Sequence, residues 1–526
     1  MADYDAVIIG SGINSLVAAA LLGKKGLSVC LLERNDRLGG TIRTEEATLP
    51  GFHHDMMSCW YPLFVTGPAY AALKDDLHAA GLEFCFAPEP SGVILPDQSA
   101  FVMAMDREKN IAAFNALSHG EGDAHAADLG ALMGDLDITF SVLGGNLWSF
   151  AMLKTLGKEV WRRKAGGMAV FAGDALRSCR SWLETTYSHP LTHAMFAPWV
   201  LHTGLGPESA ASGAMGRVIA FTLEQAGMPV VKGGSSNLVA AFEKVFAAHS
   251  VTVMTQTHVS DVLVSGGKAV GVRTGDGADI MARTAVLANV PPNRLYGEML
   301  PADALPQDQV RRAKAYRFGR ADMQVHLALD KPAAWTDERL NSVPGVHVTP
   351  GMDGVSQAVN EAERGFLPRE ATIVAGQPAA HDPSRVPDGK GQLWIQLQEL
   401  PRQIKGDAAG EIAVPEDGAW TSDVAERYAD RIVARLEHHI PGLTGSILAR
   451  KVLSPTDLES LNCNLVGGDP YCGDCGLDQF AIWRPFPGAK GHKTPVKNLW
   501  HIGASTHPGP GLGGGSGFLA AQQISG

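Results

Sequence analysis

Tyr4-Asp5-Ala6-Val7-Ile8-Ile9-Gly10-Ser11-Gly12-Ile13-Asn14-Ser15-Leu16 reads as an apolar strand that runs into a glycine turn and then a helix. Tyr4 to Ile9 has the near-continuous apolar character of a parallel strand covered on both faces. Gly10 permits the tight turn, and Gly12 lets backbone approach a pyrophosphate. The helix from Leu16 to Lys24 then offers free N–H groups and the positive end of its dipole to that anion. Ser15 occupies the third position of the fingerprint, where a small residue still allows the helix to pack closely on the strand. A second strand, Leu27 to Glu33, ends in an acid roughly 20 residues beyond the turn, where a ribose-hydroxyl acceptor is expected. An acid at that place also disfavours a phosphorylated ribose.

The rest of the composition is consistent with a globular protein. The chain has 526 residues, with 44 Lys and Arg against 55 Asp and Glu and a net charge of −11. That balance argues against nucleic-acid binding, which needs a basic surface. With 45% hydrophobic and 19% charged residues, the chain is long and apolar enough for more than one core. Its 7 cysteines are odd in number and widely spread, unlike a disulfide framework. A reducing compartment fits, and no apolar run approaches the roughly 18 residues of a membrane span. The expected location is cytoplasmic or peripheral to a membrane.

Directly after the second strand comes Arg37-Leu38-Gly39-Gly40-Thr41-Ile42-Arg43-Thr44. It resembles the double-glycine motif of the amine-oxidase and phytoene-desaturase clan of FAD enzymes. The resemblance implies that Gly39 and Gly40 bring backbone close to FAD and that a basic side chain helps hold its phosphates. Thr41 stands where the clan often has arginine, which leaves Arg37 and Arg43 as candidate phosphate partners; Arg34 and Thr41 complete the contacts expected on this segment. Near the C-terminus, Leu499-Trp500-His501-Ile502-Gly503-Ala504-Ser505-Thr506-His507-Pro508-Gly509-Pro510-Gly511-Leu512-Gly513-Gly514 is similar to the closing motif of phytoene desaturases and phytoene-dehydrogenase-like proteins. Gly503, Ala504, Gly511 and Leu512 are thereby expected to aim backbone N–H groups at the flavin edge where negative charge develops on reduction. Gly227-Met228-Pro229-Val230-Val231-Lys232-Gly233-Gly234 adds a third match, and the family resemblance assigns the backbone of Val259 to the adenine ring.

The expected fold is α/β, a discontinuous Rossmann-like FAD-binding domain over 1–75, 225–300 and 490–526. A substrate domain of α+β type, 76–224 and 301–489, should be built on an antiparallel sheet, because Asp322 to Leu329 and Leu393 to Leu397 alternate in polarity. Only one strand–glycine–helix fingerprint is present, so the resemblance implies an enzyme whose electrons leave to a quinone or dioxygen. The expected reaction is hydride transfer from a hydrophobic, isoprenoid or polyene-like substrate to flavin N5, with proton loss from the neighbouring carbon and formation of a C=C bond. An amine oxidase of the same clan, a flavin-dependent isomerase and a non-catalytic flavin-binding protein are the alternatives.

Candidate catalytic groups are Asp55 and His54, beside His53 in Gly51-Phe52-His53-His54-Asp55-Met56-Met57-Ser58, and His507 of the closing motif. Histidine suits proton transfer near neutral pH. FAD is expected to be noncovalent, since the closing motif carries no cysteine. Cys472-Gly473-Asp474-Cys475 lacks the second ligand pair that a zinc site needs, so no metal is expected. His189 and His202 read as core histidines, and Tyr471, Trp483 and Phe486 as packing residues. Within 146–164, Trp148, Met152, Leu153, Leu156 and Val160 form an apolar stripe opposite Lys154, Lys158 and Arg162. Two readings fit it: a domain helix with a solvated basic face, or a surface that rests on anionic lipid and admits a lipophilic substrate.

Overall fold

A computed structural model describes residues 3–525. Two seven-stranded sheets organise it. The first has the order Val259–Ser265, Lys268–Thr274, Asp279–Ala288, Tyr4–Ile9, Val29–Leu32, Val251–Met254, with Leu499–His501 added beside Asp279–Ala288. Tyr4–Ile9 is parallel to both of its neighbours, and Leu499–His501 is also parallel to its partner. The sheet therefore draws on chain segments hundreds of residues apart, as the three scattered motifs imply. Ala6, Val7 and Ile8 are fully buried, with Ala6 and Ile8 in one apolar cluster and Val7 in another, which accounts for the unbroken apolar run. The glycine pair Gly266-Gly267 turns the hairpin between two of these strands with φ 57° and 74°, a backbone region that glycine enters freely.

The helix Ile13–Lys24 follows the Gly10 turn, and the C-terminal helix Gly515–Ser525 lies against it. Leu16, Val17, Phe64, Phe242 and Ala520 share the core beneath them.

The second sheet runs Ile447–Leu453, Ala321–Leu329, Gly391–Leu400, Ile373–Gly376, Gly345–Val348, Ser91–Ile94, Ala100–Met103. It is antiparallel except for the pair Gly345–Val348 and Ser91–Ile94. On one face Met323, Val325, Leu393, Ile395 and Leu397 pack against Val424, Tyr428, Ile432 and Leu436 of the helix Ser422–His439. The alternation puts Asp322, Gln324, Gln396 and Gln398 on the opposite face.

The basic amphipathic stretch is a helix, Phe150–Leu176, broken at Lys164 (φ 60°, ψ 179°). Met152 and Glu159 face inward, and Arg162 and Arg163 are drawn to Glu159 and Asp135 as ion pairs. Apolar and basic side chains alike are turned to solvent, with Phe150 82%, Leu153 65% and Trp161 76% exposed and Lys154, Lys158 and Lys164 exposed beside them. Among the described residues no helix is long and apolar enough to cross a membrane.

Candidate functional site

A cavity of about 820 Å³ is lined by both halves of the molecule, from Gly10 to Asn14 and Glu33 on one side to Gln324 and Gln396 on another. The turn between the first strand and the first helix builds its nucleotide end. Gly10 has φ 79°, and Gly12 is the N-cap of the helix with no side-chain cap and no acid in the first turn. Its N-terminal N–H groups are therefore left for an anion. Glu33 is buried beside this turn and accepts from Ser11 N at 3.0 Å, Ser11 Oγ at 2.6 Å and Asn35 N at 2.9 Å. These bonds hold its carboxylate on the wall.

The double-glycine segment closes on the same turn. Gly39 N donates to Ser11 Oγ at 3.1 Å, and a Cβ on Gly40 would stand 3.2 Å from Gly12 Cα. This close approach of backbone to backbone is the cradle that a dinucleotide requires, and a side chain would fill it. Arg34, Gly40, Thr41, Val259, Ala504, Gly511 and Leu512 also line the cavity, as the sequence predicts. FAD fits this set of residues: an uncapped helix N-terminus for its pyrophosphate and a carboxylate for its ribose.

Other predicted residues stand behind the wall. Ser15 Oγ accepts from Asn289 Nδ2 at 3.0 Å, and Gly503 N donates to Ser516 Oγ at 3.0 Å, so both support the lining from beneath. Arg37 pairs with Asp36 and Glu45, and Arg43 also pairs with Glu45; neither lines the cavity. The phosphate role expected of Arg37 is corrected accordingly, since its local acids hold it at the surface.

The structure also corrects the expectation for Asp55 and His54. Asp55 is fully enclosed: Thr44 Oγ1, Ser235 N, Ser235 Oγ and Arg385 donate to its carboxylate at 2.6–2.9 Å. His54 Nε2 is 2.8 Å from Thr48 Oγ1, and its ring lies 5.2 Å from that of His326. Burial holds His54 down to about 2, so it is neutral. Neither residue lines the cavity. His507 is also off the wall, beside cavity-lining Pro508; its Nε2 is 2.8 Å from Gly145 O, and burial lowers it to about 4.

Several cavity residues escape the sequence reading. His202 is on the wall rather than in the core, with Nε2 3.1 Å from His347 Nε2, while His189 is half-buried and caps the helix Pro190–Phe196 through Leu191 N. Tyr471 lines the cavity, but Trp483 and Phe486 do not. Trp60 and Trp394 meet edge to face at 4.9 Å and form an aromatic side. Cys472 and Cys475 are free thiols, pushed up to about 12 and about 11 by burial and so protonated.

Asp322 is the most perturbed acid on the wall, raised from 3.8 to about 8 by burial. An acid in the strand Ala321–Leu329, whose other polar positions are the neutral Gln324 and His326, is the one signal that could have singled it out. The folded state keeps a proton that the unfolded chain releases above 3.8. Its contribution to stability is full below that value and falls as pH rises through about 8. Denaturant unfolding of wild type and Asp322→Asn at the two ends of this window should show a smaller pH-dependent loss in the variant. Equal losses would contradict the burial of a neutral carboxyl.

A glycine-cradled nucleotide site joined to an aromatic chamber defines a flavin-dependent oxidoreductase. The chain belongs to the flavin containing amine oxidoreductase family, whose model matches residues 16–397. It is similar to pyridine nucleotide-disulfide oxidoreductase domain-containing protein 2 of Rattus norvegicus, 26% identical over 99% of this chain and 93% of that protein. It is also similar to a lycopene-forming phytoene desaturase of Paracoccus sp., 25% identical over 98% of this chain and 96% of that one. Among solved structures, an oxidoreductase from Methanosarcina mazei shares the fold with a TM-score of 0.63 at 16% identity, over 98% of this chain and 99% of that chain.

Proposed function

We propose that the chain is an FAD-dependent dehydrogenase that introduces a C=C bond into a hydrophobic, isoprenoid-like substrate. The observation that carries this reading is the continuity of one cavity, from the Gly10–Asn14 turn and Glu33 to the Trp60, Trp199 and Trp394 side. FAD bound noncovalently there would supply a two-electron hydride acceptor, with a quinone or dioxygen as the proposed final acceptor. The helix N-terminus would hold the pyrophosphate and Glu33 the ribose of its adenosine diphosphate part. Gly511 and Leu512, with φ 124° and 62°, turn the closing backbone along the wall. The tryptophans and Phe140 and Leu143 exclude water and orient an apolar chain.

The test is anaerobic mixing of the FAD-loaded protein with polyenes, terpenoids, amines, NADH and NADPH while flavin absorbance is followed. An unsaturated apolar compound should bleach the flavin, and the nicotinamides should do so slowly or not at all. Rapid bleaching by NADPH, or by amines alone, would replace the desaturase reading. Acid precipitation of the same protein should leave yellow flavin in solution; flavin retained in the pellet would show a covalent link and reject noncovalent binding.

The outward face of Phe150–Leu176 supports a peripheral membrane contact. Phe150, Leu153 and Trp161 are exposed beside Lys154, Lys158 and Lys164, a combination suited to an anionic lipid surface. Phe140, Leu143 and Gly144 of the neighbouring helix line the cavity, which puts its rim near that face. Cosedimentation with vesicles containing phosphatidylserine should fall with added salt and in Leu153→Glu/Trp161→Glu. Binding that both treatments leave unchanged would refute the contact.

A further inference from the structure

The wall that the antiparallel sheet gives to the cavity carries a polar patch beside Trp394. Asp322, Gln324, Gln396 and Gln398 line it, while the alternate positions Met323, Val325, Ile395 and Leu397 enter the core. Gln324 and Gln396 are direct partners across the two strands, so the four side chains form one patch. A chamber made only for a hydrocarbon would gain nothing from carboxamides here, because each buried polar atom without a partner costs stability.

The bonds within the patch show which atoms remain free. Gln396 Nε2 donates to Asp322 Oδ2. The Tyr471 hydroxyl donates to the Leu201 carbonyl at 2.5 Å, so its proton is committed. It accepts in turn from Gln398 Nε2 at 2.9 Å. That pair of bonds orients the Gln398 carboxamide and leaves its Oε1 without a partner. Gln324 Oε1 is likewise unpartnered. Gln324 is only 1% exposed and Gln398 4%. Both free atoms are acceptors, and both belong to side chains of the cavity wall.

We propose that the substrate carries a hydrogen-bond-donating group, a hydroxyl or an amine, on its apolar body, and that Gln324 and Gln398 receive it. This rests on the dehydrogenase reading above and narrows its substrate class from hydrocarbons to functionalised molecules. The polar patch then sets which end of the ligand enters, because the reverse orientation buries the ligand's donor against tryptophan and leaves the two carboxamide oxygens bare.

The FAD-loaded protein is titrated anaerobically with farnesol, farnesylamine and farnesene, which share one skeleton, and binding is read from the perturbed flavin spectrum. A donor-bearing compound should bind on the order of tenfold more tightly than farnesene. Preference for farnesol identifies a hydroxyl and preference for farnesylamine an amine. Gln324→Met and Gln398→Met, each close in volume to the original, should bring the ratio towards one by weakening the donor-bearing compound. The two are made separately, with FAD content and melting checked, so that one remains informative if the other misfolds. Equal affinities in the wild type, or a preference that survives in both variants, overturn the inference and leave the dehydrogenase reading standing. Failure of all three compounds to bind protein that retains its FAD overturns both.

Discussion

Asp55→Ala is expected to destabilise the protein by about 3–5 kcal/mol, the cost of breaking a buried ion pair by removing one partner. Asp55 and Arg385 both have fully buried side chains, 2.9 Å apart. Arg385 also donates to Asp382 and to the Val231 carbonyl, each within 2.9 Å, so it cannot swing out to solvent without breaking two further bonds. The Asp55 carboxylate in turn satisfies Ser235 N at the start of the helix Ser236–Ala248 and the Thr44 hydroxyl. Its removal leaves Arg385 with Asp382 as its one remaining carboxylate and strands several donors at once. In denaturant unfolding, Asp55→Ala/Arg385→Met should be less destabilised than the sum of the single variants, because both single changes break the same Asp55–Arg385 pair and the double change breaks it once. Flavin reduction per FAD-loaded molecule should stay near the wild-type rate, since Asp55 does not line the cavity. A variant of unchanged stability whose reduction rate collapses would return Asp55 to the chemistry.

The contrast between Glu33 and Asp55 shows what sequence can convey about such a site. The place of Glu33 on the cavity wall is legible because it depends on local spacing: one strand, one turn, one helix and the next strand end fix where it stands. Asp55 follows a glycine and an aromatic residue in a motif that looks catalytic, but its surroundings are set by Arg385, 330 positions away. No local pattern can show that partner. The amphipathic helix fails in a related way. The spacing of Leu156 and Val160 is helical while Trp148 falls in the turn before Phe150, yet the inward side is chosen by Met152 and by the Glu159–Arg163 pair packing on the domain. The alternation of the Asp322 and Gln396 strands was equally plain. Which of their faces meets a cavity is decided by Ser422–His439 covering the other one, and that is a tertiary fact.

Gly517→Ala should remove FAD binding and lower stability by about 1–3 kcal/mol or more, the range for forcing a methyl group into a packed interior. A Cβ at this position would lie 1.8 Å from the carbonyl oxygen of Asn14 and 2.6 Å from its carbon. The obstacle is backbone, at the start of the helix whose N-terminus faces the cavity, so no side-chain rotation relieves it. The C-terminal helix must move away from the first helix. Ser516 moves with it, and Ser516 Oγ accepts from Gly503 N at 3.0 Å and lies 2.8 Å from Thr506 Oγ1. One methyl group thus displaces the phosphate end and the closing motif together, and the loss of FAD affinity should exceed the loss of fold stability. Gly130→Ala is the control: an added Cβ there meets nothing within 4 Å in the helix Glu121–Gly134, so alanine should keep FAD and favour the helix. FAD content after gel filtration and titration of the apoprotein with FAD measure the effect, with far-ultraviolet circular dichroism reporting the fold. Full FAD occupancy in Gly517→Ala at wild-type stability would mean that the two helices do not set the cavity jointly.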